Sequence, residues 1–580
     1  MVLEAEGVSR GPGWWKSFFI HRPDRQRLLV VAAVLLVFWD GLFAGFPRAD
    51  QVQFLYQSAV VGTGADTWLD TLSWNRTISS GDEVLYRPLL YALLVGCHRL
   101  FGYNFVLWQL ASLILHLIVA LGLHALLMRG SLRETSLPVL LTLLFAVSLF
   151  GSELVLWHHV MGYVLFCALT VFSLHRLLDY LQSGSLRDFR IAAALGLLAE
   201  FTYEMGVLFN LLVACTLVVR GILSRRNAAQ LPGASSAQHA YRHGLTFFAI
   251  GLAYLLASFL DLALRGMSPA PGRAFSLENL PLSIGYTIKQ IAFWFESAMF
   301  PTAFGVAPVS RMVVQAIAFG TSPKQLINYG VAVLLATGTL AVLVAWRKAQ
   351  VRFRFAGALA ATVPAILFLL AYSWVIAYGR AVPRGIVQVL YNNVYYSYVA
   401  YLAALVGVAL FTWSIAQSGR VAPSSAEASA VSPGKGAAAQ LPFGWQAMAL
   451  RAGLCGLLFL HAAETASIAA RFRYELALPM DLLDFRARLW MTRHAATPDA
   501  YFVLAQCRFR GALYWEQPPG SGVYSKSPPI DPRQRAQSVT AVDLLYPQYS
   551  FAMRKAAVAG RTPTIADLCE DGANARPGMR

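Results

Sequence analysis

Hydrophobic residues in this chain come in long unbroken runs, without the alternation that marks a half-buried strand. From Leu28 to the region of His461, stretches of about 20 apolar residues recur, the length at which a helix crosses the hydrocarbon core of a bilayer. Short polar intervals rich in Arg separate them. The pattern predicts an all-α polytopic membrane protein with about eleven crossings, a large first outer loop and a small non-cytoplasmic C-terminal tail domain. The expected crossings are 28–46, 105–128, a hairpin turning at 151–159, a second turning at 200–206, then 245–264, 327–346, 355–374, 398–415 and 447–470.

The run from Leu28 to Phe46 ends in Phe46-Pro47-Arg48 instead of a small-residue cleavage site, so it reads as a first helix and not a signal peptide. The next interval, Pro47 to Pro88, is polar with Trp68 and Trp74, and reads as short amphipathic helices at the interface. Leu89 to Leu100 is too short to span and is placed there too. A second outer loop runs from Arg265 to about Gln325. Its apolar part, Ile284 to Phe300, is expected to lie along the membrane or re-enter, because a crossing there would export the cluster Arg347, Lys348, Arg352 and Arg354. The resulting organisation is a cytoplasmic segment 1–27, a transmembrane domain 28–416, a flexible Ala/Ser/Pro/Gly linker 417–445, a last helix 446–470 and a non-cytoplasmic tail 471–580.

Composition agrees with the pattern. Of the 580 residues, 57% are hydrophobic and 13% charged, against roughly a quarter charged in a soluble domain. The formal net charge of +17 raises the question of nucleic acid. Its distribution answers it: Arg10, Lys16, Arg22, Arg25 and Arg27, then Arg129 and Arg133, Arg187 and Arg190, and Arg225 and Arg226 fall in alternate intervals. That is the positive-inside pattern, with the N-terminus cytoplasmic and the C-terminus outside, in a cell inner (plasma) membrane. No nucleic-acid partner is expected, and membrane lipids are. Reporter fusions test the orientation: alkaline phosphatase should be active after Arg580 and inactive near Ser424, and the reverse would overturn it.

Candidate chemistry gathers at the outer helix ends. Asp50, Asp66, Asp70, Asp82, Glu83, Glu153 and Glu204 all fall there, and ionisable groups at the membrane edge are functional candidates by default. Asp50 and Glu153 stand closest to apolar helix ends; the other first-loop acids read as solvated. In Tyr86-Arg87-Pro88, Arg87 is either a fixed cation for a phosphate or a snorkelling helix-start residue. Adjacent His158 and His159 point about 100° apart on a helix, which favours substrate contact or interfacial packing over metal ligation. Four cysteines lie in apolar runs. Cys507 and Cys569 lie in the tail, where an oxidising compartment allows a disulfide contributing roughly 4 kcal/mol by loop-closure arithmetic. Asn75-Arg76-Thr77 is a formal glycosylation sequon.

Taken in order, Tyr86-Arg87-Pro88-Leu89, Leu100-Phe101-Gly102, Leu115-His116, Glu153-Leu154-Val155-Leu156-Trp157 and the turn at Glu204 resemble the opening of C-type (GT-C) polytopic glycosyltransferases, the protein O-mannosyltransferase superfamily and its transmembrane TPR-containing relatives above all. The resemblance runs from Asp50 to Glu204. It implies transfer of a sugar from a polyprenyl-phosphate donor to a glycan, lipid or protein acceptor on the non-cytoplasmic face, with Asp50 as general base and inversion at the anomeric carbon. Arg87 takes the cation-before-proline position that meets the lipid phosphate. Lys289, Arg380 and Arg384 are later-loop cations without a motif match. Gln51 stands where the group often has a second acid, and Tyr203 where a Lys precedes the third-turn Glu. No cofactor is implied, with a divalent metal left open. The rival readings are a transporter or flippase for a lipid-linked glycan, which favours broken helices at the midplane, and a non-catalytic membrane assembly protein.

Overall fold

A computed structural model describes residues 23–43, 86–102, 104–130, 133, 135–228, 234–264, 276–299, 352–382, 395–418, 445–471 and 473. Its helices are α1 (Pro23–Val37), α2 (Pro88–Phe101), α3 (Phe105–Leu127), α4 (Leu137–Ala146), α5 (Ser152–Leu156), α6 (Met161–Ser183), α7 (Leu186–Thr202), α8 (Met205–Ala228), α9 (Ala234–Leu264), α10 (Leu280–Met299), α11 (Arg352–Ile376), α12 (Tyr395–Ser418) and α13 (Trp445–Arg471). Among the described residues there is no strand.

Among the described residues, seven helices are long and apolar enough to cross a membrane, or eight if the bent pair of α4 with 149–156 is one span. Two of the eleven expected crossings fall short of that length for visible reasons. α1 has 15 residues and passes, beyond Phe38 and Trp39, into a 3-10 turn at Asp40–Phe43, where a carboxylate interrupts the apolar run. α7 has 17 residues and carries Arg187, Asp188 and Arg190 in its first turns. α2, at 14 residues, is the short helix expected after Pro88. The expected crossing at 327–346, the first-loop segments and the tail lie outside the described residues. α10 has 20 residues and is not among the spanning helices. Its first turn sits beside α11, where Trp374 Nε1 donates to Ser283 Oγ at 3.1 Å, and its last turn beside α13, where His461 Nε2 meets Ala298 O at 3.0 Å.

Neighbouring helices pack as antiparallel pairs: α6 with α7, α8 with α9, and α11 with α12. The core joins Val30 and Val34 of α1, Leu123 and Leu127 of α3, Phe166 and Cys167 of α6, and Tyr398 and Leu402 of α12. Two contacts orient α1 and α13. Gln26, early in α1, accepts from His124 near the end of α3 at 2.8 Å, and Asp40 beyond α1 pairs with Arg473 beyond α13 at 2.6 Å. Residues 23 and 471 therefore lie at opposite ends of the bundle.

At the break between α4 and α5, backbone groups released within an apolar bundle must find partners. The axis bends by 42° there. Four of the freed groups are met by side chains from another helix or from the turn itself. His116 Nε2 of α3 donates to Ala146 O at 2.8 Å, and Thr465 Oγ1 of α13 donates to Val147 O at 2.9 Å. Leu149 N donates to His461 Nδ1 at 3.5 Å, and Ser152 Oγ to Leu149 O at 2.6 Å. The partners assign the tautomers. Both imidazoles face a carbonyl through Nε2 and so carry the proton there, leaving Nδ1 to accept, from the Tyr398 hydroxyl at 3.0 Å in His116 and from the Leu149 amide in His461. A Cβ at Gly151 would stand 3.1 Å from His116 Cε1, so any larger residue there presses on the imidazole that holds the break.

His461→Leu strands the Leu149 N–H and the Ala298 carbonyl, and at about 1–3 kcal/mol for each buried group left unsatisfied the variant should lose about 2–6 kcal/mol. Thr465→Val, nearly isosteric and removing one bond, should lose about 1 kcal/mol. Heating with a thiol-reactive probe reads both, because Cys97 and Cys167 are buried in the fold. Equal transition temperatures for His461→Leu and the parent protein would remove the His461 contacts at the break as a source of stability.

Candidate functional site

Arg87 reaches its position because Pro88 opens α2. A residue before proline is pushed away from the α region, and Arg87 has φ −134° and ψ 59° with no side-chain cap on the helix. Its side chain is thereby released from α2. It crosses to the turn between α7 and α8, where Nε donates to Glu204 Oε2 at 2.7 Å and Nη2 to Glu204 Oε1 at 2.6 Å. This is the two-pronged guanidinium–carboxylate geometry that is strongest among charged hydrogen bonds.

Glu204 is placed by a tight turn. Tyr203 ends α7 in an extended conformation, φ −154° and ψ 129°. Gly206 N then donates back to Tyr203 O at 2.8 Å. Any Cβ at Gly206 would collide with the backbone of Glu200, so only glycine closes this turn. The consequence is a carboxylate at the lip of the site and a guanidinium beneath it: the Arg87 side chain is 9% exposed and that of Glu204 31%.

Tyrosines from four elements wall the pair. Arg87 lies 4.6 Å from the Tyr203 ring centroid and 5.8 Å from that of Tyr163, the distances of cation–π attraction. Tyr163, early in α6, packs on Tyr203 at 4.3 Å and on Tyr395, the first residue of α12, at 5.2 Å. Tyr254 of α9 donates its hydroxyl to Tyr86 O at 2.8 Å. Burial works against the Arg87 charge, and Glu204, with Tyr163 and Tyr203, more than reverses it, so its pKa stands above the ordinary arginine value. Burial pushes the Tyr203 phenol well up, and pushes up that of Tyr91 in α2, so both rings stay neutral.

The other expected site residues distribute unevenly. Asp50, Arg384, Cys507 and Cys569 lie outside the described residues. Glu153 and His159 sit in α5 and in the 3-10 turn His158–Val160, close in sequence to Trp157, which packs on Tyr395 at 6.4 Å. The structure does not describe their side chains. His158 is buried, stacked on Phe105 with a ring separation of 6.2 Å and tilted against Trp108 at 5.6 Å. Lys289 is exposed on α10, 6.0 Å from the Tyr286 ring. Arg380 belongs to the π turn Ala377–Ala381 that ends α11. Among the described residues no three His, Cys, Asp or Glu side chains converge as a metal site would require.

Two features escaped the sequence reading. The tyrosine wall is one, although Tyr163, Tyr203 and Tyr395 each stand at a helix end, a signal that was legible. The other is Glu200, fully buried in the last turn of α7. Its Oε1 accepts from Asn210 Nδ2 of α8 at 2.7 Å, while Asn210 Nδ2 also meets Gly196 O at 3.0 Å.

No family model, no curated protein and no solved structure matches this chain.

Proposed function

We propose that this protein is an integral membrane glycosyltransferase of the C-type architecture, transferring a sugar from a polyprenyl-phosphate donor to a glycan, lipid or protein acceptor on the non-cytoplasmic face. The observation that carries the reading is the Arg87–Glu204 pair. It is an ionised carboxylate and guanidinium held in a tyrosine-walled recess at the end of an apolar bundle. Charges are costly at such a depth and persist where they serve a ligand.

The motif order supports the same reading, since Tyr86-Arg87-Pro88 and the Glu204 turn, which the resemblance treats as separate landmarks, meet in space. In this proposal eleven crossings carry the chain from a cytoplasmic N-terminus to an exported tail. Asp50 deprotonates the acceptor hydroxyl, the acceptor oxygen attacks the anomeric carbon with inversion, and the lipid phosphate leaves. A general base contributes typically 10²–10⁴-fold to such a step. Arg87, with two of its nitrogens on Glu204, has Nη1 left to meet the phosphate, and Glu204 fixes its direction. Glu153 orients the acceptor, and Lys289, Arg380 and Arg384 are the remaining cations for the developing charge.

The test is direct. Purified protein in vesicles is given polyprenyl-phosphate sugars and the released lipid phosphate is measured, in parallel with glycolipid profiles of a deletion strain. Loss of one glycosylated product on deletion, with turnover by the purified protein, supports the reading. Unchanged profiles and no lipid-phosphate release with any donor would sink it.

A further inference from the structure

At mid-depth, toward the end of the bundle away from Arg87, α6, α8, α11 and α12 part to leave a cavity of about 290 Å³. Its walls are almost entirely aliphatic and aromatic, with Leu174, Val213, Pro364 and Leu402 representative of the four helices. The two threonines in the lining have spent their hydroxyls on their own helices, Thr170 on Phe166 O at 3.0 Å and Thr216 on Leu212 O at 2.7 Å. What remains polar is at one end. Arg220 is exposed there and makes no ion pair among the described residues, whereas Arg129 and Arg176, at the same end of the bundle, pair with Asp179 and Asp188. Trp413 lines the same cavity, and its indole N–H has no hydrogen-bond partner among the described residues.

Length and charge together identify an occupant. Phe166 and Leu181 of α6 both line the cavity, and at ~1.5 Å per residue they stand about 22 Å apart along the helix axis. One leaflet of a hydrocarbon core about 30 Å thick is about 15 Å deep, so the lining is more than long enough for an acyl chain that fills one leaflet. An apolar cavity stays dry, and left empty it forfeits dispersion contacts along its whole lining. We propose that this cavity binds one acyl chain of an anionic phospholipid from the leaflet opposite the Arg87–Glu204 recess, with the lipid phosphate on Arg220. The site is separate from the proposed sugar-transfer centre. It makes the helices that carry Tyr163 and Tyr395 dependent on the lipid around them.

The full chain, reconstituted in phosphatidylcholine vesicles with a trace of phosphatidylglycerol bearing a photoactivatable acyl chain, provides the test. Label is expected in peptides of α8 and α11. Unlabelled phosphatidylglycerol should compete about fivefold better than phosphatidylcholine, the contribution of one arginine near an anionic headgroup. Arg220→Gln, at an exposed position, should abolish that preference while leaving the fold intact. Ala361→Phe, which fills the cavity, should remove the label from α8 and α11, with its melting temperature measured alongside. Equal competition by the two phospholipids, a preference unchanged in Arg220→Gln, or label unaffected in a folded Ala361→Phe protein would each overturn the proposal. So would a polyprenyl phosphate that displaces the label more strongly than phosphatidylglycerol, since the occupant would then be a prenyl chain.

Discussion

If Asp50 is the general base of the proposed sugar transfer, transfer by Asp50→Asn protein should be at least ~100-fold slower than by the parent chain, the usual reach of a general base. Asparagine keeps the size and hydrogen-bonding shape of the side chain and removes only its capacity to take a proton. Yield and melting temperature should therefore be unchanged, and donor binding should survive. The contrast with Arg87 is informative: Arg87→Ala should weaken use of the lipid-phosphate donor, because the lost group is a cation and not the proton acceptor. Glu153→Gln should give an intermediate loss if that carboxylate orients the acceptor. Asp50→Asn protein purified at normal yield and transferring at near-normal rate would falsify the assignment and direct attention to Glu153 or Asp82.

The second large effect is expected in stability, at the Arg87–Glu204 pair. Removing one member of a buried ion pair leaves the other charge uncompensated, at about 3–5 kcal/mol. The two partners are not equally placed. Glu204 keeps nearly a third of its side chain in solvent and Arg87 less than a tenth, so a carboxylate left alone can hydrate and a guanidinium left alone cannot. Glu204→Gln should accordingly destabilise more than Arg87→Met. The double variant should recover much of the loss, as neutral replacements of buried pairs do. A double-mutant cycle read by unfolding in mixed micelles should return a coupling of about 2 kcal/mol or more. Additive single effects would mean that the pair is solvated in the protein and that Tyr163 and Tyr203 do not enclose it.

Among expectations drawn from Tyr86-Arg87-Pro88, the open question was whether Arg87 meets a ligand or snorkels to the interface. The side chain turns inward and is nearly inaccessible, so it does not snorkel. Its partner stands 117 positions away, on a turn that sequence spacing had no means of bringing to it. Tyr203 shows the same limit differently. In the resemblance to C-type glycosyltransferases it is a departure, standing where that group often has a lysine; in the fold its ring is the surface against which Arg87 lies. A lysine there would place a second cation beside the first, so Tyr203 and the pairing of Arg87 with Glu204 belong together.

What the amino-acid sequence determined by itself was the solvent of this protein and the identity of most of its elements. Runs of apolar residues near 20 in length are helices because a bilayer leaves the backbone no other partner than itself, and this is a local property readable at each run. The short α2 was legible in the same way, from a length that does not reach across. Only the tertiary structure decided which helix ends meet. The Arg87–Glu204 pair, its tyrosine walls and the contacts of His116, His461 and Thr465 at the bent helix all join residues from different helices. In each case the polar group is satisfied by a partner remote in the chain. Apolar periodicity places a helix in the membrane but leaves its rotation and its neighbours open, and these are set by the few buried polar groups that must find one another.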